Sequence, residues 1–428
     1  MVALHRAQHL AESSPEDRSV LVTTFTKTLA GSLEDGLRLL IDDEALLRRV
    51  DVRHIDQIAY QITASRHGRL PVLPESDQRD RWRQLINRFG LSYTETFLGQ
   101  EWRHVVLAQG IATREEYLAA ARSGRGRPLG TRARAEIWPA LAGFETELRA
   151  EGVWTHETIC VEAARLLELD EAKPYRHIIV DEAQDLSPWQ WRLLRAAVRC
   201  GPDDLFLVGD THQRIYDHRV SLKQIGIDIA GRSERLKINY RTTAEILGWS
   251  LGLLRGERID DMNEDLETLA GCRSEVHGAP PSLHGASSRS AEMEHLVSVV
   301  RSWLNEGVQP GQVGIAARSG VLVDEAVAAL ADSGIPAVSL AKRATTDGEV
   351  AVATMHRMKG LEFRCVAVAG VSQRHVPAPS AVTSATDDQR RHDLDIQRER
   401  CLLFVACTRA RENLVVSWHG TPSSLLPT

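Results

Sequence analysis

The run His177–Asp185, HIIVDEAQD, decides how the rest of the chain is read. Ile178, Ile179 and Val180 are apolar and β-branched, as in a parallel strand covered on both faces, and Asp181 and Glu182 stand where that strand ends. Magnesium-dependent phosphoryl transfer needs such a pair. One carboxylate can hold the ion that neutralises the phosphates while its neighbour orients an attacking water. Acidic strand ends are common, so the pair gains weight only from its surroundings.

Those surroundings are a chain of 428 residues, long enough for two or three domains with their own cores. With 43% apolar and 26% charged residues it reads as globular. No stretch approaches the roughly 18 to 20 consecutive apolar residues of a membrane span. The N-terminus, MVALHRAQHLAESSPEDR, is too polar for a signal peptide, so a cytoplasmic protein without a membrane partner is expected. The six cysteines are scattered and include no C-x-x-C pair, which disfavours a zinc or iron–sulfur site. A net charge of −6 argues against coating nucleic acid by bulk charge but leaves room for a local groove. The segment RSGRGRPLGTRAR, with Arg122, Arg125, Arg127, Arg132 and Arg134, fits two readings: a track for a phosphate backbone or a solvated loop.

Short apolar runs alternate with amphipathic stretches, the pattern of an α/β fold with parallel sheets. Strands are expected at Val20–Thr24, Ile178–Asp181, Leu205–Asp210, Leu236–Asn239, Val313–Ala317, Val350–Thr354, Cys365–Ala369 and Leu414–Trp418. From about Asp51 to Trp154 the alternation lapses into an Arg-, Glu-, Leu- and Trp-rich stretch with helical spacing, which predicts a helical insertion into the first α/β unit. Gly271–Ser290, rich in Gly, Pro and Ser, reads as a loop near the start of a second unit. The expected division is 1–50 with 155–237 as the first lobe, 51–154 as its insertion, and 238–428 as the second lobe.

Further polar blocks follow the acidic pair in order. In DLFLVGDTHQRIY, Gln213 is an uncharged donor and acceptor suited to sensing a terminal phosphate or its water. Arg214, Tyr216, His218 and Arg219 behind it suit a nucleic-acid strand, with rings for bases and arginines for phosphates. In LKINYRTTAEI, Tyr240 offers a flat face for a purine, or core packing, and Arg241 a planar cation for phosphate. In VAVATMHRMKGLEF, Thr354, His356 and Lys359 follow a strand, Gly360 permits close backbone approach, and Glu362 can accept from ribose hydroxyls or pair with a cation. In ERCLLFVACTRAR, Arg409 ends an apolar helix, as a surface cation or as a guanidinium completing a phosphate site.

In this order the blocks resemble those of the superfamily 1 DNA helicases of the UvrD/Rep/PcrA type, from VTTFTKTLA (22–30) to TRAR (408–411). NYRT, T-x-H-x-x-KGLEF and V-x-x-TRA carry most of the specificity. The resemblance implies two RecA-like lobes of the P-loop NTPase type, ATP and Mg2+ as cofactors, and movement 3′ to 5′ on single-stranded DNA, with duplex/single-strand junctions as substrates. It implies Asp181 as the metal-associated acid, Glu182 as the catalytic base, and Gln213, Arg241 and Arg409 around the γ-phosphate. Tyr240, Gly360 and Glu362 fall to the nucleotide. Phe25, Thr26, His54, Tyr216, His218, Arg219, Thr354 and His356 fall to DNA.

The sequence departs from the family's pattern in three places. His218 stands where tryptophan is usual, a smaller platform when base stacking is worth about 1 to 3 kcal/mol per base. Only 13 residues separate Gly334-Ile335-Pro336 from Val350, too few for the family's large helical insert in the second lobe. The G-x-x-G-x-GKT phosphate loop that should precede a helix like VALHRAQHLA is absent from the 428 residues, so Met1 is expected to be an internal residue or a boundary, and the chain alone is expected to be ATPase-deficient. A non-enzymatic helicase-like module that binds DNA or protein is the alternative.

Overall fold

The computed structural model describes residues 1–14, 16–122, 129–215, 222–259, 271–343, 345–386 and 389–427. They fall into two compact units. The first comprises residues 1–210 and 222–228, and the second residues 211–215 and those from 229 onward.

The first unit is built on a parallel sheet of β1 (Val20–Thr24), β2 (Val50–His54), β3 (His177–Val180) and β4 (Leu205–Leu207), in the order β2-β1-β3-β4. β1 and β3 are buried at every position, as a central parallel strand under helices must be. Helix Val2–Ser13 seals one face with Ala3, Leu4, Ala7, Leu10 and Ala11 against Val20, Val22 and Ile179. Thr24 pairs with His54 and Thr23 with Val180, so the carboxyl ends of β1, β2 and β3 form one edge. Ligands of open α/β sheets gather at such an edge.

β2 lies inside the stretch expected to be helical. Its Val-Asp-Val-Arg-His pattern alternates, which the surrounding charge obscures in the sequence. Helices then dominate through Glu151, around a core in which Trp82 stacks on Phe144 at 4.0 Å and Trp102 meets the same ring edge-on at 4.9 Å.

The second unit has a six-stranded, wholly parallel sheet in the order β7-β12-β11-β8-β10-β9. Its strands are β7 (Ser282–Ala286), β8 (Val313–Ala317), β9 (Ala337–Ser339), β10 (Val350–Thr354), β11 (Phe363–Ala369) and β12 (Ala410–His419). A two-stranded ribbon joins β5 (Ile238–Asn239) to β6 (Arg273–Ser274). Apolar layers cover both sheet faces: Met355, Met358, Phe404 and Val416 belong to one, and Leu296, Val300, Leu322 and Leu330 to the other.

Four expectations are corrected here. Gly271–Ser290 is not one loop, because β6 and β7 lie within it; its Gly and Pro mask two short parallel pairings. Asp181 lies just past its strand, since β3 stops at Val180, and Leu205–Asp210 is a strand only to Leu207. The segment Thr211–Ile215 packs with the second unit, where Ile215 enters the core. Between Pro336 and Val350 the described residues form β9 and turns, with no helix.

Candidate functional site

In the first unit the acidic pair is held at the sheet's carboxyl edge from both sides. The Asp181 N–H donates to the Thr23 carbonyl at 2.9 Å and the Ala183 N–H to the Val208 carbonyl at 3.0 Å. Glu182 between them has φ 55° and ψ 41°, a left-handed conformation that a residue with a Cβ adopts only under constraint. Its Oε2 accepts from the Gln184 amide at 2.7 Å.

Phe25, Thr26 and His54 stand at the same edge, beside Asp181 rather than scattered. Two of them also start helices. Thr26 caps helix Lys27–Leu40 by accepting from Leu29 N–H at 3.2 Å, and His54 caps helix Ile55–His67 through Nδ1, which accepts from Asp56 N–H at 3.2 Å. Burial lowers the His54 pKa, and Lys27 opposes its charging further while Asp56 favours it. A neutral ring is also what a backbone N–H donor at Nδ1 requires.

In the second unit the sequence-distant blocks converge. Arg409, 2% exposed, donates Nε to the Val405 carbonyl at 3.0 Å and NH2 to Gln213 Oε1 at 2.9 Å, with a longer contact to the Leu361 carbonyl. It is therefore not a surface cation. Lys359 Nζ donates to the Gln213 carbonyl, so Gln213 is gripped at backbone and side chain by the two blocks. Gly360, at φ +77°, makes the turn that carries Leu361 toward Arg409.

Arg241 Nε lies 2.8 Å from Glu362 Oε2, both side chains about half exposed, so the two residues assigned to phosphate and ribose meet each other. Asn239 turns the chain ahead of them by accepting from the N–H groups of Arg241 and Thr242. Tyr240 is 71% exposed and is no core residue; its ring face is available for stacking.

Thr354 ends β10 and His356 follows it. Burial, reinforced by the nearby Arg318 cation, pushes the His356 pKa down to about 4, with Glu399 opposing. Arg318 and Glu399 form a two-pronged pair at 2.8 and 2.6 Å, and Glu399 also accepts from Ala378 N–H.

The arginine-rich segment is partly accounted for otherwise. Arg122 is buried against Glu101 at 2.7 Å, with Tyr117 on the same carboxylate, and Arg134 donates to the carbonyls of Tyr117, Leu118, Ala120 and Leu129. Both guanidinium groups are engaged within the protein. Their partners are backbone and a distant acid, which spacing cannot reveal. Arg125, Arg127, Tyr216, His218 and Arg219 lie outside the described residues. Sequence reasoning missed Gln184 and the Arg318–Glu399 pair. Gln184 sits in the opening motif, but its role depends on what each end of its amide meets.

Two parallel-sheet units, one with an acidic pair at its carboxyl edge and one with converging cations, define a protein with two RecA-like lobes. The chain belongs to the UvrD/REP helicase family: residues 2–226 match its N-terminal domain and residues 337–421 the UvrD-like helicase C-terminal domain. It is similar to the ATP-dependent DNA helicase UvrD2 of Mycobacterium bovis, 26% identical over 348 residues that cover 74% of this chain and 47% of that protein. A probable DNA helicase of Mycoplasma pneumoniae is 26% identical over 289 residues, covering 64% of this chain and 50% of that one. The chain thus spans about half the length of the curated relatives it matches. Among solved structures, the C-terminal domain of a possible DNA helicase from Lactobacillus plantarum is 20% identical with a TM-score of 0.32, covering 44% of this chain and 92% of that one.

Proposed function

We propose that the chain is part of an ATP-driven DNA helicase or translocase that moves 3′ to 5′ on single-stranded DNA and acts at duplex/single-strand junctions. The observation that carries the reading is the bond between buried Arg409 and Gln213, since a buried arginine held by an uncharged amide is a preorganised cation for a phosphoryl group. The polarity and the junction preference rest on family membership alone.

The residues present fit magnesium and nucleotide in part. Asp181 and Glu182 supply the hard carboxylate oxygens that magnesium chemistry uses, and the exposed ring of Tyr240, next in the chain to the Arg241 that pairs with Glu362, suits a purine and its ribose. The phosphate-cradling loop is not among the 428 residues. A bound magnesium ion would neutralise phosphate charge. Asp181 would hold that ion, Glu182 would accept the proton of the attacking water, and Gln213 would orient that water. Arg241 and Arg409 would meet charge developing on the γ-phosphate. Arg241 must leave Glu362 to do so, an exchange of one exposed partner for another, which costs little.

The second reading is a helicase-like module that binds DNA or protein without hydrolysis. DNA-stimulated ATP hydrolysis separates the two when it is measured on these 428 residues and on a longer form carrying a GKT loop ahead of Met1. Turnover in the longer form supports the motor. DNA binding without turnover in either supports the module.

A further inference from the structure

The amide of Gln184 is engaged at both ends and almost fully buried, with 3% of the residue exposed. Its Nε2 donates to Glu182 Oε2 at 2.7 Å and its Oε1 accepts from the Asp210 N–H at 3.0 Å. The amide's orientation is fixed by chemistry, because a carboxylate only accepts and a backbone N–H only donates. A Cβ at Gly209 would stand 2.5 Å from Oε1 and 3.4 Å from the backbone nitrogens of Ala183 and Gln184, so glycine there is what lets Asp210 come this close.

We infer that Gln184 is a positioning residue that holds the Glu182 carboxylate and ties its orientation to the backbone at Asp210. The inference rests on the reading of Glu182 as the hydrolytic base. Glu182 is in a strained left-handed conformation and its backbone is clamped on both sides. The carboxylate is then aimed by side-chain contacts, and Gln184 supplies one from a fixed point. That fixed point is informative, because Asp210 runs directly into Thr211–Gln213, the segment that carries the phosphate-sensing amide. A shift in that segment moves the Asp210 N–H, and through Gln184 the aim of Glu182. A buried amide that loses either partner cannot turn to water, so the two ends move together.

Two substitutions separate the ends of the amide. Gln184→Leu removes both contacts at similar size. Gln184→Glu keeps an acceptor for Asp210 and sets a carboxylate against Glu182. Hydrogen exchange of the Asp210 amide, measured on the 428-residue chain, rises at least about tenfold in Gln184→Leu and stays near wild type in Gln184→Glu. In the longer, loop-bearing form, Gln184→Glu lowers kcat about 10- to 100-fold at pH 8 with KM for ATP within about twofold. A merely structural glutamine would not lower kcat while leaving KM for ATP in place. Unchanged Asp210 exchange in Gln184→Leu, or wild-type kcat in Gln184→Glu at pH 8, overturns the inference. Absence of hydrolysis in the wild-type longer form overturns the proposed function instead, and the exchange result still decides the Asp210 link.

Discussion

Arg409 NH2 and Gln213 Oε1 stand 2.9 Å apart inside one compact unit, although 196 residues separate them in the chain. Gln213 belongs by sequence to the block that follows the acidic pair, yet it packs with the block that ends in Arg409. The pair proposed to meet the γ-phosphate is complete only when both blocks are folded together. In a form competent for hydrolysis, Arg409→Ala should lower DNA-stimulated turnover by about 10³ to 10⁵ while KM for ATP changes little. Arg409→Lys should fail to restore it, because an ammonium cannot reach the Val405 carbonyl and Gln213 as the guanidinium fork does. Steady-state kinetics of the two variants check both statements.

Gly360 is a stability prediction. At φ +77° any residue with a Cβ is disfavoured by about 1 to 2 kcal/mol, so Gly360→Ala should lower the second unit's unfolding free energy by that amount, read as a lower urea midpoint. Since Leu361 follows directly and meets Arg409, turnover should fall as well.

Arg122 distinguishes a structural arginine from a DNA contact. With Arg122 6% and Glu101 fully buried, Arg122→Ala strands a carboxylate and should cost about 3 to 5 kcal/mol of stability. Denaturant unfolding reads that loss. The slope of log DNA affinity against log salt should stay the same, whereas loss of a true phosphate contact would reduce it by about one.

His356 makes the second unit acid-sensitive. Its folded pKa, about 4, lies below the ordinary 6.5, so between those values the unfolded chain binds more protons and stability falls as pH drops through that window. The full difference is worth about 3 kcal/mol. His356→Gln should therefore lose less stability than wild type between pH 7 and pH 4.5. Parallel unfolding curves at the two pH values test this, with equal losses in both proteins as the contrary result.

Much of this was legible in the sequence because strand burial and motif order are local. Val20–Thr24, Val313–Ala317 and Val350–Thr354 are strands with the expected bounds, since each opens on a short apolar run set between polar blocks. β2 escaped because a half-buried strand carrying Asp51 and Arg53 looks like the charged helices around it. The candidate site was legible as a set of residues but not as contacts. That Arg241 meets Glu362, that Arg122 is spent on Glu101, and that Gln184 joins Glu182 to Asp210 all depend on long-range packing, which residue type and spacing do not specify.

The central proposal is that Asp181, Glu182, Gln213, Arg241 and Arg409 serve ATP hydrolysis. Single-stranded-DNA-stimulated ATP hydrolysis tests it most directly, measured on this chain, on a form bearing a GKT loop ahead of Met1, and on that form with Glu182→Gln. The account predicts little or no turnover from the 428 residues, DNA-dependent turnover from the longer form, and loss of it in Glu182→Gln. Robust hydrolysis by the 428 residues alone, or undiminished hydrolysis in Glu182→Gln, would contradict it.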